Sequence, residues 1–169
     1  MKKKIVKIGE MFVSNDPEDV LITYSLGSCL GVAAYDRDKK IGGLIHCMLP
    51  FKSSEKEATE KPAMFVETGI PLLLNTMLRL GAIKRNISIK VAGCANMSES
   101  FFEIGRKNYL VLRKILWKNN LLIDAELIGG KVYRNLKIYI KTGKVIVSSN
   151  GIEVELSKDK KLALNKKIF

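Results

Sequence analysis

The sequence is poor in the residues on which metal and redox sites depend. Its 169 residues include one histidine, three cysteines and one tryptophan. A structural zinc site usually needs paired ligands, and the adjacent His46 and Cys47 would point to opposite faces of a strand. Three cysteines are too few for a disulfide framework, so we expect free thiols in a reducing compartment. No metal and no cofactor are therefore predicted.

Long apolar runs and nucleotide-binding motifs are also absent. No apolar stretch reaches the roughly 18 residues of a membrane-spanning helix, and Lys7 interrupts the apolar stretch that a signal peptide would need. The sequence contains no phosphate-binding loop, dinucleotide fingerprint or metalloprotease helix. We expect a cytoplasmic protein with no direct membrane insertion.

The sequence carries a strong net positive charge. It carries 29 Lys and Arg against 17 Asp and Glu, a net charge of +12, which favours an acidic partner such as nucleic acid or an acidic protein. Ten basic and three acidic side chains fall within residues 101–147. A solvated helix face over 106–118 explains much of this excess, and no helix-turn-helix or zinc-finger pattern accompanies it. No nucleic-acid partner is predicted.

The hydrophobic periodicity predicts one domain over residues 1–169 of the α+β (mixed α/β) class. Its core is expected over about 5–150, with an edge strand or tail over 151–169. The polar segment 52–61 is predicted to be an exposed loop. Two main helices are expected, over about 63–80 and 104–119. The predicted strands are 5–8, 21–24, 30–35, 41–48, 87–91, 121–128, 132–140, 145–148 and 152–156.

One pair of side chains is suited to nucleophilic chemistry. His46 is the only imidazole that can act as a base near neutral pH. If the turn of the predicted hairpin is centred between Arg37 and Asp38, Cys29 directly faces His46, with Cβ atoms about 5 Å apart. An imidazole at that distance can take the thiol proton and later return it to a leaving group. A bulge at the glycine pair 42–43 would shift this register by one residue.

The residues before Cys29 favour the same chemistry. Gly27 and Ser28 permit a tight turn and leave backbone N–H groups to stabilise an oxyanion. The Thr23 hydroxyl can accept from the imidazole N–H of His46 and fix its tautomer. The alternative from the residues alone is a small buried thiol beside a core histidine that bonds to the backbone.

Sequence blocks in a fixed order run from about residue 20 to residue 147. The first two are Thr23-x-x-Leu26-Gly27-Ser28-Cys29 and His46-x-Met48-Leu49-Pro50. Later blocks are Phe65-x-Glu67, Pro71 to Leu74, Met77 to Ala82, Lys90 to Met97, Ile104-Gly105-x-x-Asn108, Gly129-Gly130-Lys131-x-x-Arg134 and Thr142-Gly143. Together they resemble the bacterial chemoreceptor glutamine deamidase family CheD.

This resemblance implies a protein-glutamine glutaminase. Glutamine side chains of methyl-accepting chemotaxis receptors would be hydrolysed to glutamate and ammonia through a thioester. By position, Cys29 is similar to the family's nucleophile, His46 to its general base and Thr23 to the residue that orients the histidine. The chain departs from the family pattern at Phe65 and Tyr133, among other positions, but at none of these three.

The resemblance also implies a fold and a partner. The expected fold is a layered α/β sandwich with mixed, mainly antiparallel sheets, similar to the deamidase toxins of the cytotoxic necrotising factor type. The expected partner, besides the receptors, is a CheC-type chemotaxis phosphatase. A non-catalytic module that regulates such a phosphatase is the alternative function.

Overall fold

The computed structural model describes residues 1–158, apart from the side chains of residues 100–102, and it contains ten strands and three α-helices there. The strands are β1 Lys2–Ile5, β2 Met11–Ser14, β3 Asp19–Leu26, β4 Leu30–Asp36, β5 Ile41–Cys47, β6 Ile87–Gly93, β7 Ile123–Ile128, β8 Arg134–Tyr139, β9 Val145–Ser149 and β10 Ile152–Glu155. The helices are α1 Glu55–Glu60, α2 Val66–Arg79 and α3 Glu99–Lys118, with 3-10 turns at Pro62–Met64 and Lys84–Asn86. The tail from residue 159 onward lies outside the described residues.

The strands form two five-stranded sheets. The first sheet has the order β1-β3-β8-β9-β10, and the second has the order β2-β5-β4-β6-β7. Only the pairs β1 with β3 and β6 with β7 are parallel among the described strands. The predicted mixed α/β fold with two main helices and mainly antiparallel sheets is confirmed. No helix within residues 1–158 is long and apolar enough to cross a membrane.

The second sheet is the middle layer of the molecule. One side packs against α2 and α3 in a cluster that includes Ile45 and Leu116, and the other packs against the first sheet in a cluster that includes Leu44 and Leu136. Because successive residues of a strand point to opposite faces, Leu44 and Ile45 separate the two cores. Both β4 and β5 are buried along their whole lengths, which explains their continuous apolar sequences.

The hairpin of β4 and β5 forms as predicted, but its register was predicted wrongly. The Asp36 carboxylate accepts hydrogen bonds from the backbone N–H groups of Asp38 and Lys39, at 2.9 and 3.1 Å, and closes a four-residue turn. Gly31 therefore opposes His46, and Cys29 does not. The predicted register is shifted by two residues. Because side chains of a strand alternate with a period of two, Cys29 and His46 still lie on the same face.

The glycine pair 42–43 does not form the bulge that would have shifted the register by one residue. The β4–β5 ladder runs through this pair without a register shift. A Cβ atom at Gly42 would lie 2.6 Å from Ile140 Cδ1, so this glycine allows the two sheets to approach closely. A bulge does occur in β3, between Thr23 and Leu26. Ser25 within it has a φ of +58°.

Three further differences from the prediction concern exposed elements. The strand predicted over 5–8 lies at Lys2–Ile5, and the short edge strand Met11–Ser14 was missed. The predicted loop 52–61 contains α1, which buries no residue and so shows no apolar periodicity. Its start is capped by the Ser54 side chain, which accepts from the backbone N–H of Glu57.

Candidate active site

Cys29 lies on the crossover between the two sheets. The chain leaves the first sheet at the end of β3 and enters the second at Leu30. Backbone N–H groups of the segment after β6 hold this crossover: Cys94 donates to the carbonyl oxygen of Cys29, and Ala95 to that of Gly27, each at 2.8 Å. A Cβ atom at position 93 would lie 2.2 Å from the Cys29 oxygen, so only Gly93 permits this close approach.

Thr23 and His46 bridge the two sheets. The side chain of His46 lies on the same face of β5 as Leu44, towards the first sheet, and Thr23 lies on the same face of β3 as Leu21. Thr23 Oγ1 is 2.7 Å from His46 Nδ1. Both residues are buried, at 0% and 1% exposure. The hydrogen bond expected from the sequence is present, and it fixes the ring between the layers.

The thiol and the imidazole lie on the same side of the second sheet but are not hydrogen-bonded. Cys29 packs against the cluster between the sheets and is partly exposed. It lies two residues before Gly31, which opposes His46. Diagonal neighbours of this kind on regular strands are about 7–8 Å apart, with their Cβ atoms somewhat closer. Within the described chain, His46 Nε2 is buried and has no hydrogen-bond partner. A free ring nitrogen therefore remains for proton transfer.

Burial keeps both groups uncharged at neutral pH. It raises the pKa of the Cys29 thiol to about 11, although the residue's own backbone N–H lowers it slightly. Burial lowers the pKa of His46 to about 4. The site therefore holds a neutral thiol and a neutral imidazole. A pair of this kind can transfer the thiol proton during nucleophilic attack and does not need to form a standing ion pair.

The surroundings of Gly27 differ in detail from the prediction. The left-handed residue of this segment is Ser25, not Gly27, so the glycine is not required for a positive φ. A Cβ atom at Gly27 would lie 2.9 Å from Tyr133 Cε1 and 3.2 Å from Met97 Cγ. These two side chains therefore cover the crossover beside Cys29, with Tyr133 itself 59% exposed.

Asn108 also reaches this region, which the sequence reasoning did not anticipate. Its side-chain amide donates to the carbonyl oxygens of Ser28 and Met48. The only sequence signal was its position in the block Ile104-Gly105-x-x-Asn108, to which no role had been assigned.

Comparison with known proteins decides the family. A family model described as CheD chemotactic sensory transduction matches residues 48–149. A Syntrophus aciditrophicus protein named probable chemoreceptor glutamine deamidase CheD 1 is 48% identical over 150 residues, covering 87% of this chain and 94% of that protein. The chain belongs to the CheD family.

Other similar proteins carry related names. A Solibacter usitatus protein named probable chemoreceptor glutamine deamidase CheD is 40% identical over 159 residues, covering 92% of this CheD chain and 94% of that protein. An alignment of that length necessarily includes residues 23–46, which precede the match to the family model. A solved structure of a Neisseria meningitidis protein from the family DUF152 aligns with a TM-score of 0.45 at 10% identity, covering 78% of this chain and 63% of that one.

The other two cysteines of this CheD chain lie in the core. Cys47 points to the helix side of β5, opposite to His46, as predicted from its position. Cys94 is buried in the same cluster, and burial raises the pKa of both thiols. All three cysteines are free. The described part of the chain contains no group of three or more His, Cys, Asp or Glu side chains that would hold a metal ion.

The buried imidazole makes the stability of this CheD chain depend on pH. In the unfolded chain the pKa of His46 is close to 6.5, but in the folded chain it is about 4. Between these values the unfolded chain binds a proton that the folded chain does not. The free energy of unfolding therefore falls as the pH is lowered through this range, by roughly 3 kcal/mol in all.

Urea unfolding of the wild type and of His46→Gln at pH 7 and at about pH 4.5 measures this effect. The carboxylates titrate in both proteins, so the difference between the two pH slopes isolates His46. We expect the variant to lose less stability on acidification. Equal losses in the two proteins would contradict the lowered pKa.

Proposed function

We propose that this chain is a protein-glutamine glutaminase that converts glutamine side chains of methyl-accepting chemotaxis receptors to glutamate and ammonia. The observation that carries the chemistry is the bridge from Thr23 to Nδ1 of His46, which leaves Nε2 buried, unbonded and on the side of the sheet where Cys29 lies. The substrate class is supported by the relatives, which are named chemoreceptor glutamine deamidases.

The proposed reaction begins with a neutral thiol and a neutral imidazole. The Cys29 sulfur attacks the carboxamide carbon as its proton moves to His46 Nε2, forming a tetrahedral oxyanion. The carbon–nitrogen bond then breaks, and the imidazolium gives its proton to the departing ammonia. Water attacks the resulting thioester while His46 accepts a proton from it. Return of that proton to the sulfur releases glutamate and restores the thiol.

The crossover before Cys29 is the proposed oxyanion support. The carbonyl groups of Gly27 and Cys29 are fixed by bonds from the segment after β6. The Gly27 carbonyl lies in one peptide plane with the N–H of Ser28, so the bond to that carbonyl fixes the direction of this N–H group. Preorganised N–H donors stabilise developing negative charge without having to reorient during the reaction.

The substrate is tested with a purified receptor cytoplasmic fragment. We expect peptide mass spectrometry to find glutamine residues converted to glutamate, together with release of ammonia in equal amount. A fragment in which no glutamine changes during incubation would overturn the proposed substrate class.

Thr23 is proposed to orient His46 by accepting a hydrogen bond from Nδ1–H, which makes Nε2 the base. Thr23→Val preserves the shape but removes this acceptor. We expect kcat to fall roughly 10- to 100-fold, by analogy with other residues that orient a histidine. KM should stay nearly constant, because Thr23 is buried and does not touch the substrate.

Thr23→Ser is the matched control, because serine keeps the hydroxyl group. It should retain most of the kcat that Thr23→Val loses. If valine and serine reduce kcat equally, the hydroxyl has no orienting role.

The remaining proposals concern the setting of the enzyme. We propose one deamidase domain, located in the cytoplasm and layered like the cytotoxic necrotising factor-type deamidases.

A CheC-type phosphatase is the proposed regulatory partner. The exposed basic side chains of Arg113 and Lys114 on α3 suit an acidic protein surface. Failure of the two purified proteins to co-elute at low salt would contradict this partnership. A purely non-catalytic module is not favoured, because the relatives are named as deamidases.

A further inference from the structure

Asn108 of α3 joins the two chain segments that carry the proposed reacting groups. Its Nδ2 lies 3.1 Å from the carbonyl oxygen of Ser28 and 3.1 Å from that of Met48. Ser28 directly precedes Cys29, and Met48 follows His46 by two residues. One amide group on the helix layer therefore holds both the crossover and the end of β5.

The chemistry of this amide makes the junction rigid. Nδ2 carries two hydrogens in the plane of the amide, and each carbonyl oxygen takes one of them. The fixed angle between the two N–H bonds restrains the distance between the Ser28 and Met48 carbonyls. A side chain with a single donor would hold only one of the two segments.

The amide of Asn108 is buried with only its donor group hydrogen-bonded. Asn108 is 0% exposed, and its Oδ1 is buried with no hydrogen-bond partner among the described residues. A buried acceptor without a partner costs about 1–3 kcal/mol. A buried polar group that is only half satisfied in a native structure points to a role other than packing.

The close packing of α3 on the segment after β6 brings the side chain of Asn108 within hydrogen-bonding distance of the Ser28 backbone. Gly105 lies one turn earlier on the helix, and a Cβ atom there would lie 3.0 Å from the Cys94 carbonyl oxygen and 3.1 Å from that of Ala95. The glycine lets the helix lie directly on the segment that also holds the crossover. At that separation the short side chain of Asn108 reaches the backbone of Ser28.

We propose that Asn108 is a positioning residue for the deamidation, because it sets the separation between the Cys29 thiol and His46 Nε2. The proposal rests on the proposed function of this site. It predicts that loss of the two hydrogen bonds lets the crossover and β5 move relative to each other. Displacements of about 1 Å in reacting groups can cost roughly 10²-fold in rate.

Asn108→Leu tests the proposal, because leucine fills the volume but donates no hydrogen bond. We expect kcat per folded molecule on the receptor fragment to fall roughly 10- to 100-fold, with KM within about twofold. The melting temperature should fall as well, because the carbonyl oxygens of Ser28 and Met48 lose their donor. Asn108→Ala is the second variant, in case leucine does not fit.

Leu112→Ala on the same helix is the control for stability, since Leu112 is fully buried in the helix-facing core. It should lower the melting temperature and leave kcat per folded molecule unchanged.

A second measurement separates positioning from folding and from the proposed substrate. The alkylation rate of Cys29 by iodoacetamide is followed for Asn108→Leu, for His46→Gln and for the double variant. We expect each single variant to slow alkylation near pH 8, and the double variant to be no slower than His46→Gln, because both act on the same proton transfer.

The outcomes distinguish the two hypotheses. If the wild type deamidates no receptor glutamine while the alkylation effects are coupled, the proposed substrate fails and the positioning role of Asn108 stands. If Asn108→Leu and Asn108→Ala keep the wild-type kcat, or if their alkylation effects simply add to that of His46→Gln, the positioning role is overturned.

Discussion

Cys29→Ala is expected to lower the deamidation rate by roughly 10⁴-fold or more, because alanine removes the only group proposed to form a bond with the substrate. The fold should survive the change, since Cys29 is partly exposed and lies on a crossover held by backbone hydrogen bonds. The measurement is the rate of glutamate formation in the receptor fragment by mass spectrometry, with the melting temperature of each variant as a check on folding.

Cys47→Ala is the matched control for this experiment. Cys47 is fully buried on the opposite side of β5, so its loss should lower stability but leave kcat within a few-fold of the wild type. If Cys29→Ala keeps substantial activity, or if Cys47→Ala loses as much, the nucleophile has been assigned wrongly.

His46→Gln is expected to lower kcat at neutral pH by roughly 10²- to 10⁴-fold, the usual contribution of a positioned general base. Glutamine retains a polar group that can bond to Thr23 but cannot take the thiol proton. The pH dependence is diagnostic, because the pKa of the Cys29 thiol is about 11. Below that value the thiolate fraction rises tenfold with each unit of pH, and a thiolate needs no base.

The rate of His46→Gln should therefore climb steadily between about pH 7 and pH 10, while that of the wild type stays nearly flat. Both profiles are measured on the same receptor fragment, with stability checked at each pH. A variant whose rate does not rise with pH would contradict the role of His46 as the base that deprotonates Cys29.

The sequence predicted the hairpin and the face on which the reacting residues lie, but not their register. The apolar runs of β4 and β5 are long because both strands are covered on two sides. The register depends on one carboxylate: Asp36 accepts from two backbone N–H groups and moves the centre of the turn by one residue. That change shifts the pairing by two, so Cys29 and His46 stay on one face.

The sequence predicted that Thr23 and His46 form a hydrogen bond, but it did not predict where in the fold this bond lies. The residue types and their order suggested a hydroxyl that orients the ring, yet only the packing of two sheets brings β3 against β5. Asn108 was not predicted as a functional residue, because its partners are backbone carbonyls 80 and 60 residues away in sequence. Neither periodicity nor composition encodes such contacts.

The exposed helices and strands were the hardest to predict from hydrophobic periodicity. α1 has no buried face, and β2 is a short edge strand in which one residue of four is buried. Hydrophobic periodicity reports burial on one face, so elements that bury little leave little trace in it. The cap at Ser54 and Glu57 is a local signal that would have located the start of α1.

The most direct measurement is to quench the wild-type protein with acid while it turns over a glutamine-containing receptor peptide, and to analyse the Cys29 peptide by mass spectrometry. We predict a covalent adduct equal to the substrate peptide less ammonia, joined to Cys29 as a thioester and released by neutral hydroxylamine as a hydroxamate. Adduct on Cys47 or Cys94 in its place, or glutamate formation with no adduct at steady state and no hydroxamate when hydroxylamine is present, would contradict nucleophilic catalysis by Cys29.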